Sequence, residues 1–302
     1  MTNDIPEISD VVVAFDTESL ERRDVSCKAA LVAAAEMPGR ARRIVEQLAT
    51  GEVLDRDTVD GILVRSHLEL QRLHEEFRVG EMMRDLLRPM IELVRREVGT
   101  PVRIVDIGCG LGFVLRWLAA RGGLEGVELI GVDYNATLVA AAQQLAAEEN
   151  LPCRFVRGNA FTLEQPAHIF TSTGVLHHFR GGELEAAFAA HERSSALAFI
   201  HADIRPSPIA PLGSWIFHQA RMREPLAKFD GYWSTVRAHP PATLASAIER
   251  GAPSFSLGML DARPRLLALL RIFQVAIGVR QPHFDALATM YAPLGRRFAR
   301  SA

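Results

Sequence analysis

Lysine is almost absent from these 302 residues: Lys28 and Lys228 are the only two, and arginine supplies the other basic side chains. Together with abundant alanine, that bias reads as a GC-rich coding sequence rather than as a phosphate-binding surface. Neither sign of charge is in excess, since 34 basic groups face 36 acidic ones for a net charge of -2. A chain so balanced has no global field to draw it onto nucleic acid or anionic lipid, so neither is expected as a partner. Cysteine is scarce as well. Cys27, Cys109 and Cys153 are odd in number and lack paired spacing, which argues against a disulfide framework or a zinc site and fits a reducing cytoplasm. Long apolar runs are missing: the best candidate, Leu266 to Val279, is interrupted by Arg271 and falls short of the ~18 residues expected of a spanning helix. The opening Met1-Thr2-Asn3-Asp4-Ile5-Pro6 has neither the basic nor the apolar region of a secretion signal. A soluble cytoplasmic protein is expected, and 48% hydrophobic residues supply a substantial core.

From Ser26 to Gly99 the pattern is helical. Lys28 to Met37 is stopped by Pro38-Gly39, and Arg40 to Thr50 is followed by Gly51 where a helix C-cap wants it. Asp57 to Phe77 carries an apolar stripe at Val59, Ile62, Leu63, Leu70, Leu73 and Phe77. A further stripe begins at Glu81, and Pro89 is expected to kink that helix or to start a new one. These stripes are core-forming rather than cofactor-binding patterns. At Thr100-Pro101 the period changes. Strands are expected at Val102–Ile107, Val127–Val132, Cys153–Val156, Ile169–Thr173 and Leu197–His201, separated by helices at Phe113–Arg121, Ala136–Glu149 and Glu183–Ser194. Such alternation implies an α/β fold: a doubly wound, mostly parallel sheet, with its ligand site at the carboxyl ends of the strands. Beyond Asp203 the reading is weaker: a helical stretch from Gly213 to Lys228, a helix at Ala242–Arg250, a strand at Ser254–Met259, a helix at Pro264–Leu270 and a last strand at Ile272–Val279. Two regions follow from this: residues 1–99, helical, as a lid or dimer contact, and residues 100–302, a ligand-binding domain with a helical insertion at about 206–241.

The first strand runs into Asp106-Ile107-Gly108-Cys109-Gly110-Leu111-Gly112 and then a helix. Three glycines let the backbone turn tightly and present amide donors at the helix N-terminus, which suits any nucleotide-like cofactor. A dinucleotide fingerprint would need its last glycine at position 113, where Phe113 stands. That spacing disfavours a nicotinamide oxidoreductase. A carboxylate at Asp106 beside the turn suits a cofactor bearing an ammonium and a sulfonium, not a pyrophosphate. Asp133, ending the second strand, is placed to accept hydrogen bonds from ribose hydroxyls, with Tyr134 beside it to cover an adenine face. Gly158-Asn159-Ala160-Phe161 offers an amide and an aromatic at the adenine edge, although Asn159 is equally read as an ordinary turn residue.

These residues, together with Thr171-Ser172-Thr173-Gly174-Val175-Leu176-His177-His178-Phe179, resemble the class I S-adenosylmethionine-dependent methyltransferases of small-molecule type over Val102 to Asp203, about a third of the chain. The resemblance implies a Rossmann-like sheet of seven strands whose last is antiparallel, a place that Ile272–Val279 would fill. It further implies S-adenosylmethionine as cofactor: its methionine part on Asp106 and the Gly108-Cys109-Gly110-Leu111-Gly112 backbone, its ribose on Asp133, its adenine on Asn159 and Ala160, and its amino group near the Thr173 backbone. The family often carries Asp where Asn159 stands and an acidic residue where His168 stands. Asn159 retains an acceptor for the adenine amine.

Methyl transfer from a sulfonium needs alignment, and a base only for a hydroxyl or a protonated amine. His177 and His178 follow the fourth strand and Asp203 the fifth, so an imidazole and its orienting carboxylate meet at one rim. Packing and helix capping are the alternative roles for the two histidines. Arg205 or Arg237 is read as holding an acidic group on the acceptor, and Tyr232 and Trp233 as an apolar wall; turn and packing roles compete there too. His74-Glu75-Glu76-Phe77 lacks zinc-protease spacing, so no metal is expected. A small-molecule acceptor is expected ahead of a macromolecular one, which stays as an alternative, since no Asn/Asp-Pro-Pro-Tyr/Phe motif is present, no Pro-Cys nucleophile follows the fourth strand, and Arg296, Arg297 and Arg300 form only a short basic tail. From another class, a module that keeps the cofactor pocket without methylating anything is the competing reading.

Overall fold

The computed structural model describes residues 6–16, 18–262, 272–281 and 298–300. The helix expected at Pro264–Leu270 lies outside them, as do Arg296 and Arg297. The chain divides into two compact units, one joining the residues up to Leu73 with Ser207–Arg237, the other joining His74–Pro206 with the residues from Ala238 onward.

The first unit is built from α1 (Ile8–Val12), α2 (Cys27–Ala34), α3 (Gly39–Leu48) and most of α4 (Arg56–Glu76), with a short antiparallel ribbon of Ala14–Phe15 and Arg22–Arg23. α3 stops at Leu48 with Ala49 as its C-cap, ahead of the expected Gly51. Ile8, Val12, Ala30, Ala34, Val45, Val59 and Leu63 form its core with Leu226. The inserted segment contributes two helices rather than one. The chain breaks at Met222–Glu224 because the buried Glu69 carboxylate accepts the amides of Arg223 at 2.9 Å and Glu224 at 3.1 Å. In the same way Asp230 accepts the amides of Ile8 at 2.8 Å and Ser9 at 3.2 Å, satisfying donors that open α1.

The second unit opens with α5 (Val79–Val98), a single helix that continues past Pro89 rather than starting anew there. Its Met83, Leu86, Leu87, Met90, Ile91 and Val94 are all buried, and that apolar area outweighs the ~3 kcal/mol that an interior proline costs a helix. There follow β1 (Val102–Ile107), α6 (Phe113–Arg121), β2 (Val127–Asp133), α7 (Ala136–Glu148), β3 (Cys153–Arg157), β4 (Ile169–Thr173), a 3-10 turn (Leu176–His178), α8 (Gly182–Arg193) and β5 (Ala198–Ile204). In chain order beyond the insertion, whose helices are α9 (Ala210–Arg221) and α10 (Pro225–Arg237), come α11 (Pro241–Gly251), β6 (Phe255–Ala262), β7 (Phe273–Arg280) and β8 (Phe298–Arg300). The sheet order is β3-β2-β1-β4-β5-β7-β6-β8. The first five are mutually parallel, and β7 enters antiparallel between β5 and β6. The seven-stranded, mostly parallel sheet is therefore present, with three-residue β8 added at one edge. Alternate residues of β1 face opposite layers: Ile104 packs with α5, α6 and α7, Val105 with α8 and α11. No described helix is long and apolar enough to cross a membrane.

One polar chain threads this core. His191 of α8 bonds the Ala187 carbonyl through Nδ1 at 2.8 Å, its Nε2 meets His201 Nε2 at 3.0 Å, and His201 Nδ1 meets Ser172 Oγ at 2.8 Å. A carbonyl can only accept, so His191 Nδ1 carries the proton, His201 Nε2–H donates to His191, and Ser172 donates to His201. Both rings are thus neutral, and burial pulls His191 down to about 4 and His201 well below the usual histidine range. Below about pH 6.5 the unfolded chain takes up protons that the folded one refuses, so the stability tied to these rings is lost as pH falls toward 4. We expect His191 alone to cost about 3 kcal/mol over that interval, from ~1.4 kcal/mol per unit. Thermal melts across it should show a steeper acid limb for wild type than for His191→Phe/His201→Phe; parallel limbs would contradict the assignment.

Candidate cofactor and catalytic site

At the carboxyl end of β1 the backbone enters a turn in which Gly108 and Gly112 take φ of 62° and 70°. A Cβ at Gly108 would lie 2.7 Å from Val175, and one at Gly112 would lie 2.2 Å from the Phe155 ring. Conformation and space both demand glycine there. The turn is pinned by Gly112 N to Cys109 O at 2.8 Å and by Cys109 N to Val132 O at 3.1 Å. The Cys109 thiol is pushed well up by burial and by the carboxylates of Asp133 and Asp106, so it stays neutral.

Asp106 is buried in the middle of the sheet, where Thr171, its register partner on β4, donates a hydroxyl hydrogen bond at 2.7 Å. Burial raises its carboxyl to about 6 in spite of that bond, and the nearby Asp133 adds to the rise. Asp133, also buried, accepts the amides of Gly110 and Asn135, each at 2.9 Å. Asn135 in turn caps α7 with its side chain. The glycine turn and the end of β2 are therefore locked to one another, with Tyr134 half exposed beside them. Asn159 builds its own turn: its side-chain oxygen accepts the Phe161 amide at 2.8 Å and its carbonyl the Leu163 amide at 3.1 Å. Ala160 is partly buried, and Phe161 packs on Phe179 with ring centroids 5.1 Å apart. Thr173 ends β4 with its hydroxyl buried and without a hydrogen-bond partner among the described residues.

His177 and Asp203 come together. The imidazole Nδ1 lies 2.7 Å from one carboxylate oxygen, the His177 amide donates to the other at 2.8 Å, and Ile204 N donates at 2.6 Å. Burial alone would raise the Asp203 carboxyl, yet the His177 ring and these amides hold it below its ordinary range. Since a carboxylate accepts, Nδ1 carries the hydrogen of this contact. His178 is exposed, its ring 4.2 Å from that of His177. Arg205, two residues past Asp203, bonds the fully buried Asp261 through Nε at 2.9 Å. The remaining three predicted residues sit on α10 in the first unit. Trp233 is buried against Phe229, Tyr232 packs edge-on to Trp233, and Arg237 is paired with Glu7 at 3.1 Å and Asp10 at 2.7 Å. Thr171, His239 and Gln274 escaped the sequence reading. Thr171 is signalled by strand register once β1 and β4 are known to be neighbours; the other two carry no local signal.

Residues 104–196 match the family model described as a methyltransferase domain. Trans-aconitate 2-methyltransferase from Pseudomonas aeruginosa is 30% identical over 116 residues, covering 38% of this chain and 41% of its own length. Ribosomal RNA small subunit methyltransferase C from Alcanivorax borkumensis is 34% identical over 66 residues, 22% of this chain and 19% of its own. The chain thus spans between a fifth and two fifths of these relatives. Among solved structures, the plantazolicin methyltransferase BamL, in complex with a triazolic desmethylPZN analog and SAH, has the same fold: TM-score 0.50 at 13% identity, covering 75% of this chain and 99% of that one.

The raised carboxyl of Asp106 has a measurable consequence. Above about pH 6 the folded protein holds an ionised group at a cost the unfolded chain does not bear, and below about pH 4 that cost vanishes. Asp106→Asn should therefore melt several degrees higher than wild type in mild alkali, a gain of about 3 kcal/mol at most, and show no gain near pH 4. A variant less stable than wild type at both ends would contradict the buried-charge assignment.

Proposed function

We propose that the chain is a class I S-adenosylmethionine-dependent methyltransferase that transfers a methyl group to an oxygen or nitrogen atom of a small molecule, a reading supported by the methyltransferase-domain match over residues 104–196. The observation that carries this reading is a buried carboxylate, Asp106, whose one hydrogen-bond donor among the described residues is a hydroxyl, beside a turn that demands glycine at Gly108 and Gly112. Such a carboxylate calls for a cation, and the methionine ammonium of the cofactor supplies one. The residues present fit the rest of the group as well. Asp133 is pre-oriented for the ribose hydroxyls, the Gly108-to-Gly112 backbone and Cys109 line the methionine part, and Asn159, Ala160, Phe161 and Tyr134 take the adenine. Thr173 brings a buried hydroxyl and its backbone to the amino group.

When bound, the cofactor supplies an electrophilic methyl on a sulfonium whose charge disappears on transfer. The chain's own contribution is alignment and a place for the proton. His177, kept in one tautomer by Asp203, takes the proton of an acceptor hydroxyl or ammonium on Nε2, and Asp203 stabilises the imidazolium that results. Arg205, oriented by Asp261, is the cation for an acidic group on the acceptor, since Arg237 is already paired with two carboxylates. Unpaired thiols at all three cysteines fit a cytoplasmic location.

A thermal melt tests the cofactor assignment. S-adenosylhomocysteine at about 100 times its Kd should stabilise the protein by about 2.7 kcal/mol, and NAD should not. A melt unmoved by millimolar S-adenosylhomocysteine contradicts the proposal. Once an acceptor is found, His177→Asn should lower kcat by about 10² to 10⁴ while S-adenosylhomocysteine affinity stays at the wild-type value.

A further inference from the structure

The pair His177–Asp203 is held by a second layer that begins on β7. Gln274 is buried directly across the strand pair from Asp203 and, on its other side, across from Asp261. Its Nε2 donates to the Ile204 carbonyl at 3.1 Å and to the His239 carbonyl at 2.7 Å. Both neighbours of that nitrogen are acceptors, so the amide orientation is fixed. Its Oε1 is left buried without a hydrogen-bond partner among the described residues. An apolar side chain would spare the fold that orphan acceptor, so the two donated bonds are what the position provides.

His239 carries the link onward. Its Nε2 sits 3.1 Å from the Leu176 carbonyl and 2.9 Å from the Phe179 carbonyl. Two acceptors around one ring nitrogen require it to bear the hydrogen, which is shared between them. Those carbonyls bracket the turn Leu176–His178 on which His177 stands. One amide, Gln274, therefore ties down both members of the pair: Asp203 through its neighbour Ile204, whose own amide donates to the Asp203 carboxylate, and His177 through His239 and the turn.

We infer that Gln274 and His239 are positioning residues for the His177–Asp203 pair, holding the imidazole in its Nδ1–H tautomer and in register with the carboxylate. The inference rests on the reading of His177 as the base, but its test does not depend on that reading. In full-length protein labelled with ¹⁵N-histidine, the His177 Nδ1–H is the proton resonance lost in His177→Gln. Its exchange with water should quicken about tenfold or more in Gln274→Met and in His239→Phe, while strand amides such as those of Ile104 and Ile130 keep their protection. His239→Gln, which retains an N–H donor, should stay within about threefold of wild type.

Unchanged exchange in folded variants overturns the inference, and so does a loosening that the strand amides share equally. Should His239→Phe fail to fold, Gln274→Met decides alone. Calorimetry with S-adenosylhomocysteine separates the two claims. Wild type that does not bind it refutes the methyltransferase reading, whereas binding together with unchanged exchange refutes only the scaffold.

Discussion

A carboxylate in the middle of a sheet is the constraint around which the second unit is arranged. Asp106 has Thr171 as its register partner on β4 and Gly131 on β2. Only the first offers a donor. The second offers no side chain at all, because a Cβ at Gly131 would meet Phe155 at 2.3 Å and the Cys109 sulfur at 2.8 Å. Crowding on one side and a lone hydroxyl on the other leave the charge under-compensated, and burial drives the group up to about 6. The turn that follows, the amide of Gly110 on Asp133 and the start of α6 all take their positions from the strand that carries it. If Asp106 holds a ligand's cation, as proposed, the site gives up stability in the ligand-free state for that ability.

Asp203 shows the opposite solution on β5, two strands along the sheet. It is as buried as Asp106, yet its carboxyl sits below the usual range, since an imidazole and two amides surround it. Burial is the same in the two cases, and the count and charge of the donors decide the sign. On the proposed function that contrast divides the labour: an under-satisfied carboxylate would take a ligand's cation, and a fully satisfied one would orient a base. Gln274 and His239 extend the second arrangement outward through the backbone.

Much of this was legible in the sequence because it is local. The five parallel strands, the glycine spacing that ends at Gly112 with Phe113 following, and Asp133 at a strand end all follow from short-range pattern, and β7 arrived where a final antiparallel strand was expected. Features set by distant partners were not legible. α1 owes its first amides to Asp230, more than two hundred residues away, and the break between α9 and α10 is made by Glu69 of α4. α5 passes through Pro89 on the strength of tertiary burial that propensity does not see. Which of His177 and His178 meets Asp203 was undecidable from a dipeptide; the 3-10 turn buries the first and exposes the second.

If Asp106 is kept under-satisfied for a ligand ammonium, binding of that ligand is linked to the proton on its carboxyl. Calorimetric titration of the wild-type protein with S-adenosylhomocysteine from about pH 8 to about pH 5 should give a constant affinity in the upper part of the range, then a fall approaching tenfold per unit below about pH 6 as the carboxyl takes up its proton. An affinity that stays flat over the whole range would show that the carboxylate plays no part in binding and would contradict the account.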